Sequence, residues 1–224
     1  MNFIGKAGYN VVKLFTKLQL GLSFDFQIWG RENIPQDSPK IYCSNHFSSS
    51  DPVFVTTLME EPIHMIIGAA FSVPFVNLFL HIGEQISAYG EARKQAVDTA
   101  VHYLEKGESV YIFPEGELGN QQQLRKFYKG LAYVYLKCPV PIVPIGLTSP
   151  QRNVKEKEVA VGAAFYHKLR VTSKNYYANI GKPMKFPQYE QMDDIREAAG
   201  HITDGVKEEV AFLIRDIKEN KFWN

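Results

Sequence analysis

An α/β domain, with a mostly parallel or mixed central sheet flanked by helices and an amphipathic helix at its N-terminus, is predicted by three features of the 224-residue chain. Short apolar runs bounded by turn residues recur, including "KIYCS" (40–44), "PIHMIIG" (62–68) and "VPIVPIGLT" (140–148), as strands buried on both faces require. Segments with helical spacing stand between such runs, and strand, helix, strand is the rhythm of a parallel sheet. The composition, 45% apolar and 22% charged, is ordinary for a folded globular chain of a length that single α/β domains commonly reach.

The first 24 residues, "MNFIGKAGYNVVKLFTKLQLGLSF", place Lys6, Asn10, Lys13 and Lys17 on one side of a helix and Ile4, Val11, Leu14, Phe15 and Leu18 on the other. Lysines interrupt the apolar run and no small-residue cleavage site follows, so it does not read as a signal peptide. No run of 18 or more apolar residues occurs, which leaves no spanning helix, whereas a lysine-faced helix suits a bilayer interface. The predicted boundaries are a docking helix over 1–22 and a single domain over 23–224.

"FDFQIWG" (24–30) and "KIYCS" read as strands joined by the turn-rich "RENIPQDSP". "PIHMIIG" and "EQISAYG" (84–90) follow as strands, with "FSVPFVNLFLHIG" (71–83) predicted to be a buried helix between them. In "EARKQAVDTAVHYLEKG" (91–107), Ala96, Val97, Ala100, Val101 and Leu104 recur at helical spacing and Gly107 is suited to end the helix. The strand "ESVYIFPEG" (108–116), a helix over "RKFYKGLAYVYLKC" (125–138) and the strand "VPIVPIGLT" repeat the alternation. Strands are expected at "KEVAVGAAFY" (157–166) and "YYANIGKP" (176–183), and a long amphipathic helix at 193–220.

The formal net charge of +1 gives no basic field of the kind nucleic-acid binders carry, so no nucleic-acid partner is expected. Cys43 and Cys138 are too few for a disulfide scaffold and too far apart in sequence for a metal-ligand pair. They fit a reducing compartment, and no metal site is expected.

Chemistry is sought at strand ends. In "YCSNHFSSSDPVF" (42–54), His46 and Asp51 lie where a strand finishes and Pro52 opens a helix. Asp51 before Pro52 also reads as a helix-start pair, with Ser48 to Ser50 as turn residues. An imidazole, however, accepts a proton near neutral pH, and a carboxylate on its other nitrogen fixes the tautomer and stabilises the imidazolium. In "FPEGELG" (113–119), Glu115 is a base, a ligand for a polar substrate or a solvated turn carboxylate, and Gly116 permits close backbone approach. The prolines of "VPIVPIG" (140–146) read as shaping the edge of a wall.

Taken in order, these stretches resemble the glycerophospholipid acyltransferase family, in particular its lysophosphatidate (1-acylglycerol-3-phosphate) acyltransferase type. The Asn-His-x-Ser-x-x-Asp motif appears as Asn45, His46, Ser48 and Asp51, the Phe-Pro-Glu-Gly motif as Phe113 to Gly116, and the proline-flanked strand as Val140 to Gly146. The resemblance spans about residues 24 to 148, with "IWGRENIP", "FYKG" and "IGKP" as lesser echoes, and the N-terminal helix looks like the membrane-docking element of bacterial members. It implies acyl transfer from acyl-CoA or acyl carrier protein to a hydroxyl of a lysophospholipid or related lipid, with no cofactor beyond the donor. His46 is then the general base, Asp51 its orienting partner, and Asn45, Ser48, Glu115 and Gly116 line the substrate site. The implied location is cytoplasmic, peripheral on the inner face of a membrane.

Two positions depart from the family pattern. Tyr89 and Gly90 stand near the place of one motif arginine, and Glu117 and Leu118 follow the Phe-Pro-Glu-Gly turn where Thr-Arg is usual. Both arginines are phosphate contacts that the resemblance implies, so Arg93, Arg125, Lys126 and Lys129 become the candidate cations. The alternatives are a non-phosphate acceptor such as a glycolipid or amino-acid lipid, a Ser-dependent lipid hydrolase, and a non-catalytic lipid-binding module. The hydrolase would lack a Gly-x-Ser-x-Gly elbow.

Overall fold

The computed structural model describes residues 5–11, 13, 14, 24–119, 123–161 and 165–221, with Phe24, residues 157–161 and 165–171, and Lys221 described by their backbone. Its strands are β1 (Phe24–Trp29), β2 (Ile41–Ser44), β3 (Ile63–Ile67), β4 (Ile86–Ser87), β5 (Ser109–Ile112), β6 (Ile142–Thr148), β7 (Val154–Val161), β8 (Phe165–Thr172) and β9 (Lys174–Ile180). Seven form one sheet in the order β1-β9-β6-β2-β5-β3-β4, and β7 and β8 pair separately. β6, β2, β5, β3 and β4 run parallel, whereas β9 lies antiparallel to β6 and parallel to β1. The sheet is therefore mixed, with a parallel centre.

Every residue of β2, β5 and β6 is buried, because both faces of the sheet are covered. Helices α1 (Asp51–Leu58), α2 (Pro74–Ile82), α3 (Ala96–Glu105), α4 (Gly130–Lys137) and α5 (Ile195–Asp216) complete the domain. Leu104, Leu131, Tyr135, Ile202 and Val206 of α3, α4 and α5 pack with Ile41, Val110 and Ile142 on one face. Tyr42, Tyr111, Val143 and Tyr176 meet Phe54, Val55 and Leu58 of α1 on the other.

Several elements differ from their sequence expectation. The segment expected to be a buried helix becomes a 3₁₀ turn, Ala69–Ser72, followed by α2, in which no residue is buried and Phe75 is 72% exposed. The helix expected from Arg125 begins only at Gly130. Residues 124–128 instead form a strap whose Tyr128 N–H donates to Pro114 O (2.7 Å), while Phe127 enters the core. The strand over 84–90 contracts to two residues.

The strand "VPIVPIG", read as buried despite its prolines, is β6, interior between β9 and β2. Pro144 is tolerated because its carbonyl accepts from Gly181 N–H (2.9 Å), just past the last β9 pair, Ile145–Ile180. Its missing donor falls between that last pair and the isolated Ile142–Met184 bridge, where the pairing is already irregular.

Of the helix expected over 1–22, residues 5–11, 13 and 14 are helical and the rest lies outside the described residues. Of the polar face, Lys6 and Asn10 are exposed. Lys13 is instead buried, its Nζ donating to Met59 O and to Glu60 O (3.0 Å), while Val11 (68%) and Leu14 (61%) are exposed. A cation at the carbonyl end of α1, joined there by Arg31 on Leu58 O (3.1 Å), suits the negative end of that helix.

Candidate active site

β2 and β5 are parallel neighbours, so the loops leaving their carboxyl ends emerge side by side, and they carry His46 and Glu115. His46 Nδ1 lies 2.9 Å from Asp51 Oδ2. The same oxygen accepts the N–H of Phe47 (2.8 Å) and of Ser48 (2.9 Å), and Asp51 Oδ1 accepts the Tyr176 hydroxyl (2.8 Å). Asp51 is fully buried, and four donors compensate the burial of its carboxylate. Burial and the neighbouring Asp51 charge push the Tyr176 phenol well up, so it stays a donor.

Asp51 was expected to cap the helix it begins. It is the first residue of α1, yet its carboxylate bonds backward to the turn that carries His46, and no side chain caps the helix. With Asp51 as acceptor, Nδ1 of His46 bears the proton and Nε2 holds the lone pair. Nε2 has no partner among the described residues, the side chain is 17% exposed, and the ring stacks on Phe113 at 4.3 Å between centroids. The arrangement can take a proton from a group entering the crevice and return it.

Glu115 joins the two loops. Its Oε1 accepts His46 N–H (2.8 Å) and its Oε2 accepts Arg125 N–H (3.0 Å), while Gly119 N–H donates to His46 O (2.7 Å). Burial raises the Glu115 carboxyl above its ordinary value, an effect the two amides partly offset. Gly116 has φ +70°, and a Cβ there would lie 3.1 Å from the Tyr128 ring, so both backbone and space favour glycine. Asn45 clamps β2 to β6, donating to Leu147 O (2.9 Å) and accepting Leu147 N–H (2.8 Å). Ser48 is buried and its Oγ accepts Ser50 N–H (3.1 Å).

The four predicted cations are less central. The Arg125 guanidinium turns to Leu118 O (2.9 Å) and Glu117 (3.2 Å), Lys129 donates to Arg196 O (2.6 Å), and Lys126 is exposed. Arg93 is exposed on a 3₁₀ turn, Gly90–Lys94, beyond β4 at the far edge of the sheet. Sequence reasoning missed Tyr176, which lies 125 positions from Asp51 with no local signal linking them. Among the described residues no group of three or more His, Cys, Asp or Glu is placed to hold a metal.

Two cavities adjoin the site. One, of about 470 Å³, runs between the N-terminal helix, α1, α2 and β3, with Tyr9, Val53, Met65, Ile67, Phe79 and Leu80 in its wall. The other, of about 490 Å³, lies between α5 and the ends of β2 and β6, where Asn45 and Leu147 form part of the wall.

A histidine–carboxylate pair stands at the end of a central parallel strand of an α/β scaffold, flanked by an apolar groove. The acyltransferase family profile matches residues 25–148, and the chain belongs to that family. It is 30% identical over 124 residues to the 1-acyl-sn-glycerol-3-phosphate acyltransferase of Borreliella burgdorferi, covering 54% of this chain and 50% of the relative. Over 141 residues it is 28% identical to the chloroplastic 1-acyl-sn-glycerol-3-phosphate acyltransferase BAT2 of Brassica napus, covering 61% and 41%. Against the Escherichia coli 1-acyl-sn-glycerol-3-phosphate acyltransferase it is 21% identical over 191 residues, covering 81% and 71%. The aligned part thus spans half or less of the Borreliella and Brassica relatives. The crystal structure of the 1-acyl-sn-glycerophosphate (LPA) acyltransferase from Thermotoga maritima shares the fold, with a TM-score of 0.66 over 92% of this chain and 79% of that one at 20% identity. Among the described residues no helix is long and apolar enough to cross a membrane.

Proposed function

We propose that the protein transfers a fatty acyl group from an acyl thioester, on coenzyme A or acyl carrier protein, to a hydroxyl of a lysophosphatidate-like lipid, with His46 as general base. The observation that carries this reading is the His46–Asp51 pair, with Nδ1 tied at 2.9 Å and Nε2 facing no partner among the described residues. Nε2 takes the proton as the acceptor oxygen attacks the thioester carbonyl. The tetrahedral intermediate collapses, the C–S bond breaks, and the departing sulfur receives that proton, leaving an ester and a free thiol. No covalent enzyme intermediate is needed. The apolar groove ending at Val53, two residues beyond Asp51, has the volume and lining for an acyl chain. The relatives named 1-acyl-sn-glycerol-3-phosphate acyltransferases support this acceptor class.

The same reading makes the protein peripheral on a bilayer. Phe75, Leu78, Val11 and Leu14 are exposed apolar side chains on α2 and the N-terminal helix, the two helices that also wall that groove.

Labelled acyl-CoA or acyl carrier protein, incubated with the protein and lysophosphatidate in vesicles, should yield the diacyl product. His46→Ala should lower the rate by at least about 10²-fold, the lower end of what a positioned base supplies. Equal rates for the two proteins would remove His46 from the chemistry.

A further inference from the structure

The second cavity, beside Asn45, plays no part in the proton transfer described above, and its chemistry is distinct. Three cations, Lys207, Arg215 and Lys218, face it from α5 and the turn that follows, against one carboxylate, Glu219. They lie at spacings of eight and three residues, with Ala211 and Ile214 between them, so they form one stripe along the helix. Leu124 and Leu147 give the opposite wall an apolar character. Asn45 is 3% exposed, and both its amide atoms are held by the Leu147 backbone, so this wall is rigid. Asn45 immediately precedes His46, and consecutive Cα atoms are about 3.8 Å apart. The cavity opens on the α5 side of the sheet and the His46 ring on the α1 side, so the two meet across the carboxyl end of β2.

We infer that this cavity binds the phosphate of a substrate, with Lys207, Arg215 and Lys218 as its cations. A phosphate bears up to two negative charges, which a guanidinium fork and two ammonium groups match better than they match a neutral head group. The cavity, about 490 Å³, exceeds what a bare phosphate fills and has room for the glycerol or pantetheine unit that follows it. The negative end of a helix repels an anion, so the net positive charge gathered there has to come from side chains. Of the cations the sequence first suggested, Arg125 and Lys129 are engaged elsewhere and Arg93 is at the far sheet edge. The assignment rests on the acyl-transfer reading for its substrate, since both the lysophosphatidate acceptor and the coenzyme A or carrier-protein donor carry phosphate.

Binding is measured without turnover, so the test separates this inference from the role of His46. Calorimetric titration with glycerol 3-phosphate stands for the acceptor and with coenzyme A for the donor. The protein should bind at least one of them, with affinity falling as salt is added. A Lys207→Gln, Arg215→Gln, Lys218→Gln variant should bind it at least ten-fold more weakly, while His46→Ala binds it unchanged. A control variant, Lys94→Gln, Lys106→Gln, Lys155→Gln, removes three lysines that do not line the cavity and should match the parent within about two-fold.

Loss confined to glycerol 3-phosphate assigns the phosphate to the acceptor, loss confined to coenzyme A assigns it to the donor, and loss of both marks a shared site. Binding of neither probe by the parent overturns the inference, as does equal weakening in the control. A third contrary result is a lowered Tm with unchanged binding, which would leave the cations only compensating the helix end. Should the triple variant not fold, the three single replacements carry the same comparison, with Arg215→Lys expected to restore most of the affinity lost in Arg215→Gln.

Discussion

Glu115 receives one backbone N–H on each oxygen, from His46 and from Arg125. Even protonated, Glu115 can turn a hydroxyl lone pair to the second amide, whereas a glutamine turns an NH2 toward it, so Glu115→Gln removes a hydrogen bond and sets two donors against each other. The cost is about 1–3 kcal/mol, the penalty of a buried polar group left unsatisfied. Its pH dependence has a definite sign. Burial raises the Glu115 pKa above the ordinary 4.5, so the folded state favours the protonated form. The stability this carboxyl contributes relative to glutamine is full below 4.5 and is lost as the pH rises through the raised value. Urea midpoints of parent and variant, compared across a pH series starting below 4.5, should therefore converge as the pH rises. A gap that widens instead would mean the two amides outweigh burial and the carboxyl is held down. The motif residues were legible because His46 and Glu115 sit on loops directly after apolar runs and Asp51 stands before the Pro that opens a helix. Tyr176 was not, since its bond to Asp51 exists only once β9 has been placed in the sheet.

Among elements, α2 and the N-terminal helix share an unusual arrangement in which apolar side chains face outward. Phe75 packs edge-on against Phe79 (5.0 Å), Leu78 is exposed, and Val11 and Leu14 are exposed on the N-terminal helix while Lys13 is turned inward to α1. An apolar run such as "FSVPFVNLFLHIG" reads the same whether its helix enters a core or a bilayer, because periodicity reports polarity and not the neighbour. The inward turn of Lys13 was not legible for a related reason, since the helix end that it meets is not visible locally. If the patch meets lipid, Phe75→Ser with Leu78→Ser should weaken sedimentation with anionic phospholipid vesicles by about ten-fold or more, given about 1.5–3 kcal/mol for a fully buried side chain of this size. Neither residue contributes to the apolar groove wall, so turnover of a dispersed short-chain substrate should persist. Unchanged sedimentation would remove this face from the membrane reading.

At the scale of the whole molecule, the alternation of apolar runs and helical spacings foretold a single sheet with a parallel centre. It did not foretell that β9 returns antiparallel against β6, because strand direction is decided by pairing across the fold. α5 crosses that junction, and it also carries the cations beside Asn45, so its seating links the sheet to the second cavity. Gly146 sets how closely it sits: a Cβ there would lie 2.7 Å from Ile214 N and 2.8 Å from Leu213 Cβ. Helix backbone cannot yield as a flexible side chain does, so Gly146→Ala forces α5 away from β6. Overpacking of this kind costs about 1–3 kcal/mol. Gly130→Ala is the matched comparison, since nothing lies within 4 Å of a Cβ there and the residue begins α4. It should be neutral or stabilise by up to about 1 kcal/mol. Thermal and urea unfolding of the two variants should therefore move in opposite directions or leave only Gly146→Ala displaced. The same Gly146→Ala protein should lose affinity for whichever phosphate probe the parent binds, because its cations have moved off the Asn45 wall. Parent-like stability of Gly146→Ala would show that α5 is free to shift, and the close seating would then have no energetic weight.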